Sequence, residues 1–471
     1  MKVVNKIYVN GKFVVPQGEE TMDLFNPTNN EVIGKVILGN EDDALSAIAA
    51  AKEAFPAFAA STVETRMDYL QKLHDAVMYR VSDLQKATIE EYGANVVRAH
   101  WSNHYAAQIF LEFKRLLETF EFERTVGESK VVLEPLGVTA ILTAWNSNSG
   151  SIAVKLAAAI AAGCTTVIKP SEMSALQTQV LMECFHEAGL PAGIINVING
   201  RGEILGPVLS THKDIAKIAF TGSTQVGKII ARNAVDTMKR LTLELSGKCP
   251  YIILDDADLS SAVPMAVNAC FNNNGQACIS ASRLLVPEKQ LEQVKKLVLE
   301  TVKGMKVGDP NDETTALGPL ANEKQYQRVQ HYIRGGLSSG AEMLIGGLGK
   351  PEGLEVGNFA KPTVFYNVSK DMEIAKDEIF GPVLSIIAYA TEEEAIDIAN
   401  DTDFGLLSYI NSSDAGRASL VASKLKAGRV LINTLKHDPN APFGGFKQSG
   451  LNREGGIYGL EAQLEPKAII S

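Results

Sequence analysis

The chain is short of paired cysteines. None of its five forms a CxxC pair or joins a His/Cys cluster, so neither a disulfide framework nor a zinc site is expected, and a reducing cytoplasm is its natural setting. It lacks a basic face: 45 Lys and Arg against 55 Asp and Glu give a formal net charge of −10, which argues against nucleic acid as a main partner. It has no hydrophobic run long enough for a bilayer. The longest, Leu156 to Ile168, is too short and follows Lys155, so no membrane association is expected. The opening Met1 to Lys12 scatters Lys and Asn where a secretory signal needs a continuous apolar core. There is no GxGxxG, so a standard dinucleotide fingerprint is missing, and no internal repeat, low-complexity tract or long linker.

What is present is a chain of 471 residues, 45% hydrophobic and 21% charged, enough for two or three globular domains. A strand-like pair (Lys6 to Val15) opens it. A helix is predicted to start at Asn40, whose side chain can cap the amides ahead while Glu41, Asp42 and Asp43 face the positive helix end. Helical periodicity runs from Thr62 to about Leu117. From Val138, apolar strands (138–143, 165–169, 194–198, 217–221, 240–245) alternate with helix-length segments, the signature of parallel βαβ units. A second alternating block has strands near 251–254, 283–286, 383–389, 407–410 and 429–432. Two α/β domains are implied, joined at Gly247 to Pro250, with Glu244 and Cys278 on opposite sides of the junction.

Asn274-Gly275-Gln276-Ala277-Cys278 sets a cysteine among small and polar residues on a Gly-containing turn, the setting of an exposed nucleophilic thiol. Cys164, Cys184, Cys249 and Cys270 read as inert packing. No histidine is near Cys278 in sequence, and the nearest chemical helper is Glu244, which closes an apolar run; a thiol and a carboxylate together suggest a thioester made and then hydrolysed. Gly222-Ser223-Thr224-Gln225-Val226-Gly227-Lys228 follows a strand and matches the opening of a P-loop, with Tyr251 to Asp255 passing for a magnesium-binding strand. Ile229, however, stands where a hydroxyl must reach magnesium, which weakens an NTPase reading. The same turn suits a dinucleotide pyrophosphate at a helix N-terminus. Lys169-Pro170-Ser171-Glu172 ends the second strand of the first block, where Lys169 and Glu172 can hold ribose hydroxyls and a carboxylate repels a 2′-phosphate; a solvated loop with Ser171 as helix cap is the alternative. Asn146, after Trp145, offers an amide donor at the same sheet edge, of the kind a developing alkoxide needs.

Seven ordered motifs, Trp145-Asn146, Lys169 to Glu172, Phe220 to Thr224, Glu244 to Lys248, Gly275 to Cys278, Glu378 to Val383 and Pro442 to Gly445, resemble the aldehyde dehydrogenase superfamily across essentially the whole chain. The resemblance implies NAD-dependent oxidation of an aldehyde to a carboxylate. Cys278 would be the nucleophile, Asn146 and the Cys278 N–H the oxyanion hole, and Glu244 the base that activates water against the thioester. Lys155 and Glu465 look like a pair that relays protons from that base. Lys169, Ser171 and Glu172 would meet the adenosine ribose, Gly222 and Ser223 the pyrophosphate, and Glu378 the nicotinamide ribose, with Trp145 and Phe380 walling the cleft. Ser147, Asn148, Ala277, Ile279 and Phe443 would line the substrate pocket, with no metal in the site. NAD is expected over NADP on Glu172. The family's layout implies an NAD-binding domain (1–112 and 134–246), an atypical Rossmann fold without GxGxxG, a catalytic domain (247–447), and a β oligomerisation element (113–133 and 448–471). A homodimer or homotetramer is expected. The chain departs from the family at Ala144, Ser147 and Asn148, where a Pro and an aromatic-Pro pair are usual, and at Ser246, usually Gly. Rival readings are a coenzyme A-acylating enzyme, which would not need Glu244 to activate water, and a catalytically silent cofactor-binding homologue.

Overall fold

Asn40 opens helix α1 (Glu41–Ala59) through a reciprocal cap, its side chain accepting from the Asp43 N–H at 3.2 Å while the Asp43 carboxylate accepts from the Asn40 N–H at 2.9 Å. The computed structural model describes residues 2–470; Met1 and Ser471, the outer limits of two expected segments, lie outside the described residues. The helical stretch after Thr62 is three helices, α2 (Val63–Tyr79), α3 (Val81–Tyr92) and α4 (Val96–Leu117). Gly93 ends α3 at φ +80°, in a spot where a Cβ would lie 2.7 Å from the Pro319 ring, and Asn95 caps α4.

Five parallel strands form the heart of the first sheet: β1 (Val138–Leu142), β2 (Thr166–Lys169), β3 (Ile195–Val197), β4 (Ile215–Thr221) and β5 (Arg240–Glu244). Their spatial order is β5-β4-β1-β2-β3. Every residue of β1 and β2 is buried, as expected of strands covered on both faces. Helix α5 (Asn148–Ala162) returns from β1 to β2 and is buried at every position except Ser151 and Val154; helix α6 (Thr224–Ala234) links β4 to β5. The second sheet contains β6 (Pro250–Ile253), β7 (Arg283–Pro287), β8 (Val383–Tyr389), β9 (Leu407–Asn411) and β10 (Arg429–Ile432), ordered β8-β7-β6-β9-β10, with two strands at its edge, Thr363–Tyr366 and Glu342–Ile345, that the sequence pattern did not reveal.

The third sheet pairs Leu464–Ile469 with the hairpin Glu123–Val126 and Ser129–Pro135. Its limits differ from expectation at both ends. Phe113 to Leu117 is the last part of α4, with Phe113 only 1% exposed, because the apolar helical period continues through it. Gly450–Leu451 pairs with β5 and so belongs to the first sheet; a Cβ on Gly450 would meet the Leu243 carbonyl oxygen at 2.0 Å.

Candidate active site

The strand register sets the site. Glu244 on β5 lies opposite Thr221 on β4, Phe220 opposite Leu142 on β1, and Leu142 opposite Lys169 on β2. Four parallel strands therefore end at one level, and the segments that leave them share one crevice. After β4, the Gly222 N–H donates to the Glu244 carbonyl at 3.0 Å, and Ser223 caps α6, its hydroxyl accepting from the Val226 N–H at 3.3 Å. A Cβ on Gly222 would lie 2.3 Å from the Phe220 ring, so the turn stays open only with glycine. At the end of β2 the buried Lys169 ammonium donates to Glu172 at 3.0 Å and to the Pro170 carbonyl at 2.9 Å, while Ser171 accepts from the Met173 N–H at 3.3 Å. Trp145, beyond β1, packs its ring 5.7 Å from Tyr92 and 5.5 Å, edge-on, from Phe380.

Cys278 comes from the other side of this crevice, on a loop with three consecutive residues in the left-handed region: Asn273 and Asn274 at φ +58° and Gly275 at φ +69°. Asn tolerates that conformation, and its side chains hold it here. The Asn274 amide donates to the Pro319 carbonyl at 2.9 Å and accepts from the Gly318 N–H at 2.8 Å. Gly275 has no substitute, since a Cβ would sit 2.2 Å from the Gly381 carbonyl oxygen, and this contact locks the cysteine loop to the segment carrying Glu378 and Phe380. Gln276 is buried, accepting from the Ala321 N–H at 3.0 Å and donating to the Tyr92 hydroxyl at 3.3 Å. Its carbonyl accepts from the Asn146 amide at 3.0 Å. An Asn amide has two N–H bonds, so Asn146 is anchored by one and keeps the other.

Of the five cysteines only Cys278 is not fully buried. Burial pushes its thiol above the usual range, and charge on Glu378, Cys249 and Glu244 adds to the effect, so the resting group is a thiol that needs a base. Glu244 is 3% exposed and neither carboxyl oxygen has a hydrogen-bond partner. Burial, and next the Glu454 carboxylate, hold it well above the ordinary carboxylate range, against the pull of Lys155, Arg453 and Arg429. Gly444 keeps space beside it, for a Cβ there would be 2.7 Å from Glu244 Oε1.

Lys155 does not pair with Glu465. Its ammonium lies 2.8 Å from Glu454 Oε1, with side chains 1% and 10% exposed, and donates to the Thr221 hydroxyl at 2.6 Å. Glu465 lies on the third sheet, 47% exposed, and accepts from Arg240 at 2.9 Å. A lysine inside α5 needs a buried partner, and Glu454 reaches it because an isolated bridge between Phe443 and Glu454 folds the chain back, with both N–H···O distances 2.7 Å. Lys155, Lys217, Thr242, Arg453, Glu454 and Gln463 line a small cavity of about 10 Å3, room for about one water.

Glu378 is half-buried, held above its ordinary range by burial, and accepts from the Gly247 N–H at 3.0 Å. The Ser246 hydroxyl works against that rise. Phe380 takes φ +63°, with its carbonyl accepting from Gln325 at 2.6 Å. Ala277 and Ile279 flank Cys278 and are half-buried; Phe443, also half-buried, carries the Arg429 guanidinium 5.2 Å from its ring centroid. Ser147 is half-buried beside Asn146, and Asn148, fully buried at the start of α5, donates to the Thr178 hydroxyl at 3.3 Å. Arg98 and Tyr105 on α4, Arg429 at the start of β10 and His437 in the loop after it are also near this region.

An α/β protein of this kind, with a thiol and an unpartnered carboxyl meeting at the edge of a parallel sheet, is of the thioester-forming enzyme class. The chain belongs to the aldehyde dehydrogenase family, whose model matches residues 13–469. It is 42% identical to 3-succinoylsemialdehyde-pyridine dehydrogenase of Pseudomonas sp, over 100% of this chain and 99% of that protein. It is similar in structure to a mutant of aldehyde dehydrogenase C from Pseudomonas syringae complexed with NAD+ and octanal (TM-score 0.98, 41% identity, 99% of this chain and 96% of that one). It is likewise similar to betaine aldehyde dehydrogenase from Staphylococcus aureus in complex with NAD+ (TM-score 0.96, 36% identity, 99% and 94%).

Proposed function

We propose that this protein oxidises an aldehyde to its carboxylic acid with NAD as the acceptor, Cys278 as nucleophile and Glu244 as base. The observation that carries the reading is the buried, unpartnered Glu244 carboxyl in a crevice that also receives the only cysteine not fully buried. Glu244 takes the Cys278 proton, and the thiolate sulfur adds to the carbonyl carbon. The remaining Asn146 N–H and the Cys278 N–H meet the oxygen that becomes charged, a contribution of about 3 kcal/mol per donor. NAD, when bound, supplies the two-electron acceptor that turns the hemithioacetal into a thioester. Once that first proton has left Glu244, the carboxylate deprotonates a water that adds to the thioester carbon; the sulfur leaves as a thiolate and takes this second proton back from Glu244 as the acid departs. The Lys155–Glu454 pair, bonded to Thr221 directly opposite Glu244, offers the onward path for the proton.

The crevice suits a dinucleotide. The α6 N-terminus with Ser223 offers amides to a pyrophosphate. Gly222 leaves room for close approach, and the exposed Val226 and Ile229 give an apolar bed beside it. Lys169 and Glu172 are placed for ribose hydroxyls, and the Glu172 charge disfavours a 2′-phosphate, which supports NAD over NADP. Glu378, Trp145 and Phe380 are assigned to the nicotinamide end. A cytoplasmic homo-oligomer completes the reading, with the hairpin 123–135 and strand 464–469 as the pairing element; the exposed Val126 and Ile469 support it. Replacing Cys278 by Ala abolishes NADH formation from any aldehyde on this account; unchanged turnover would reject it.

A further inference from the structure

Helix α4 carries the run His100-Trp101-Ser102-Asn103-His104, two imidazoles at i and i+4. That interval sets both side chains on one face of a helix, the spacing at which helical histidines share a metal ion. The rings meet face to face, with centroids 3.9 Å apart and planes 24° from parallel. His100 is exposed and His104 half-buried, so the pair is open to solvent. Neither ring is committed to an acid, for among the described residues the histidine ion pairs are His212 with Asp214 and His331 with Glu373.

The contacts of His104 decide which of its nitrogens is left for a ligand. Its Nδ1 lies 2.9 Å from the His100 carbonyl oxygen, which can only accept, so Nδ1 holds the ring hydrogen and Nε2 keeps its lone pair. A backbone carbonyl on the other ring nitrogen is the usual support of a metal-binding histidine. Gln85 of α3, its Nε2 3.4 Å from the same Nδ1, also borders the ring. Two nitrogens bound to one ion at ~2.0–2.1 Å stand about 3 Å apart. Rings stacked at 3.9 Å need only small side-chain rotations to reach that separation.

The donor set selects the ion. No third His, Cys, Asp or Glu joins the pair among the described residues, so the remaining positions fall to water. Two imidazoles give magnesium and calcium none of the oxygens they favour, and give copper(I) no thiolate; they suit nickel(II), copper(II) and zinc. The rings share a face only while this turn is helical, so an ion held by both binds the folded chain in preference to the unfolded one. The turn is also a junction. Asn103, fully buried within it, accepts from the Ser149 hydroxyl of α5 at 2.7 Å and donates to the Thr88 hydroxyl of α3 at 3.0 Å.

We propose that His100 and His104 form an open, two-imidazole site for a divalent late transition-metal ion, which staples the turn of α4 that joins α3 and α5. The site is separate from aldehyde oxidation, and neither Cys278 nor Glu244 takes part in it.

The test is calorimetric titration of the full-length protein, free of any polyhistidine tag, with Ni2+ alone, in wild type, His100→Ala, His104→Ala and His331→Ala. Alanine favours a helix, so the substitutions leave α4 formed, which circular dichroism checks. Wild type should bind one Ni2+ per chain with a dissociation constant below ~100 μM, and each of His100→Ala and His104→Ala should weaken it by roughly tenfold or more. His331→Ala, which removes an imidazole 66% exposed but with no histidine partner, should match wild type. Ni2+ should raise the melting temperature of wild type and His331→Ala, and of neither α4 variant. Zn2+ should displace the Ni2+ and Mg2+ should not. No binding by wild type, binding that survives both α4 variants, or a loss in only one of them would overturn the site.

Discussion

The Lys155 ammonium sits 2.8 Å from the Glu454 carboxylate, both side chains withdrawn from water, and Lys155 also donates to Thr221, the residue directly opposite Glu244 across the β4–β5 ladder. A buried ion pair broken on one side leaves an uncompensated charge, at a cost of about 3–5 kcal/mol. Glu454→Gln should lower thermal stability by that order and slow the turnover number. Glu465→Gln removes an exposed pair worth about 0–1 kcal/mol and should leave both nearly unchanged. Parallel melting and steady-state assays of the two variants check this.

Burial holds Glu244 well above the ordinary carboxylate range. A carboxyl raised in the folded state contributes stability that is complete below the unfolded value, ~4.3, and is lost as pH rises through the folded one. Wild type should therefore lose unfolding free energy relative to Glu244→Gln as pH rises from acid into the alkaline range. Denaturant titrations across pH measure it; parallel curves would refute the assignment of an ionising Glu244.

Gly275 touches the Gly381 carbonyl and adopts φ +69°. Gly275→Ala adds left-handed strain of about 1–3 kcal/mol, and the 2.2 Å approach pushes the loop off Gly381. Activity should fall far more than far-ultraviolet circular dichroism changes, because the loss is in the aim of Cys278.

Glu172 is held by Lys169 at 3.0 Å. Replacing Glu172 by Gln removes the like charge facing a 2′-phosphate and should raise the NADP-to-NAD ratio of kcat/KM by roughly tenfold. No change in the ratio would mean that cofactor choice lies elsewhere.

The parallel strands were legible because both their faces are covered: β1 and β2 read as short runs of mostly apolar and β-branched residues, and Asn40 announces α1 through its own side chain. Cys278 stood out by the small and polar company it keeps. Glu454 did not, since only the bridge from Phe443 to Glu454, a tertiary event, brings it to Lys155. The limit at Phe113 was misjudged because an apolar helix period carries no mark of where the helix stops.

The most direct measurement is intact-protein and peptide mass spectrometry of Glu244→Gln after mixing with NAD and an aldehyde. The account predicts one acyl group per chain on the Cys278 peptide, stable for many turnovers of the wild type and absent in the Cys278→Ala, Glu244→Gln double variant. An unmodified Cys278 in a variant that has formed NADH, or an adduct that persists without Cys278, would contradict it.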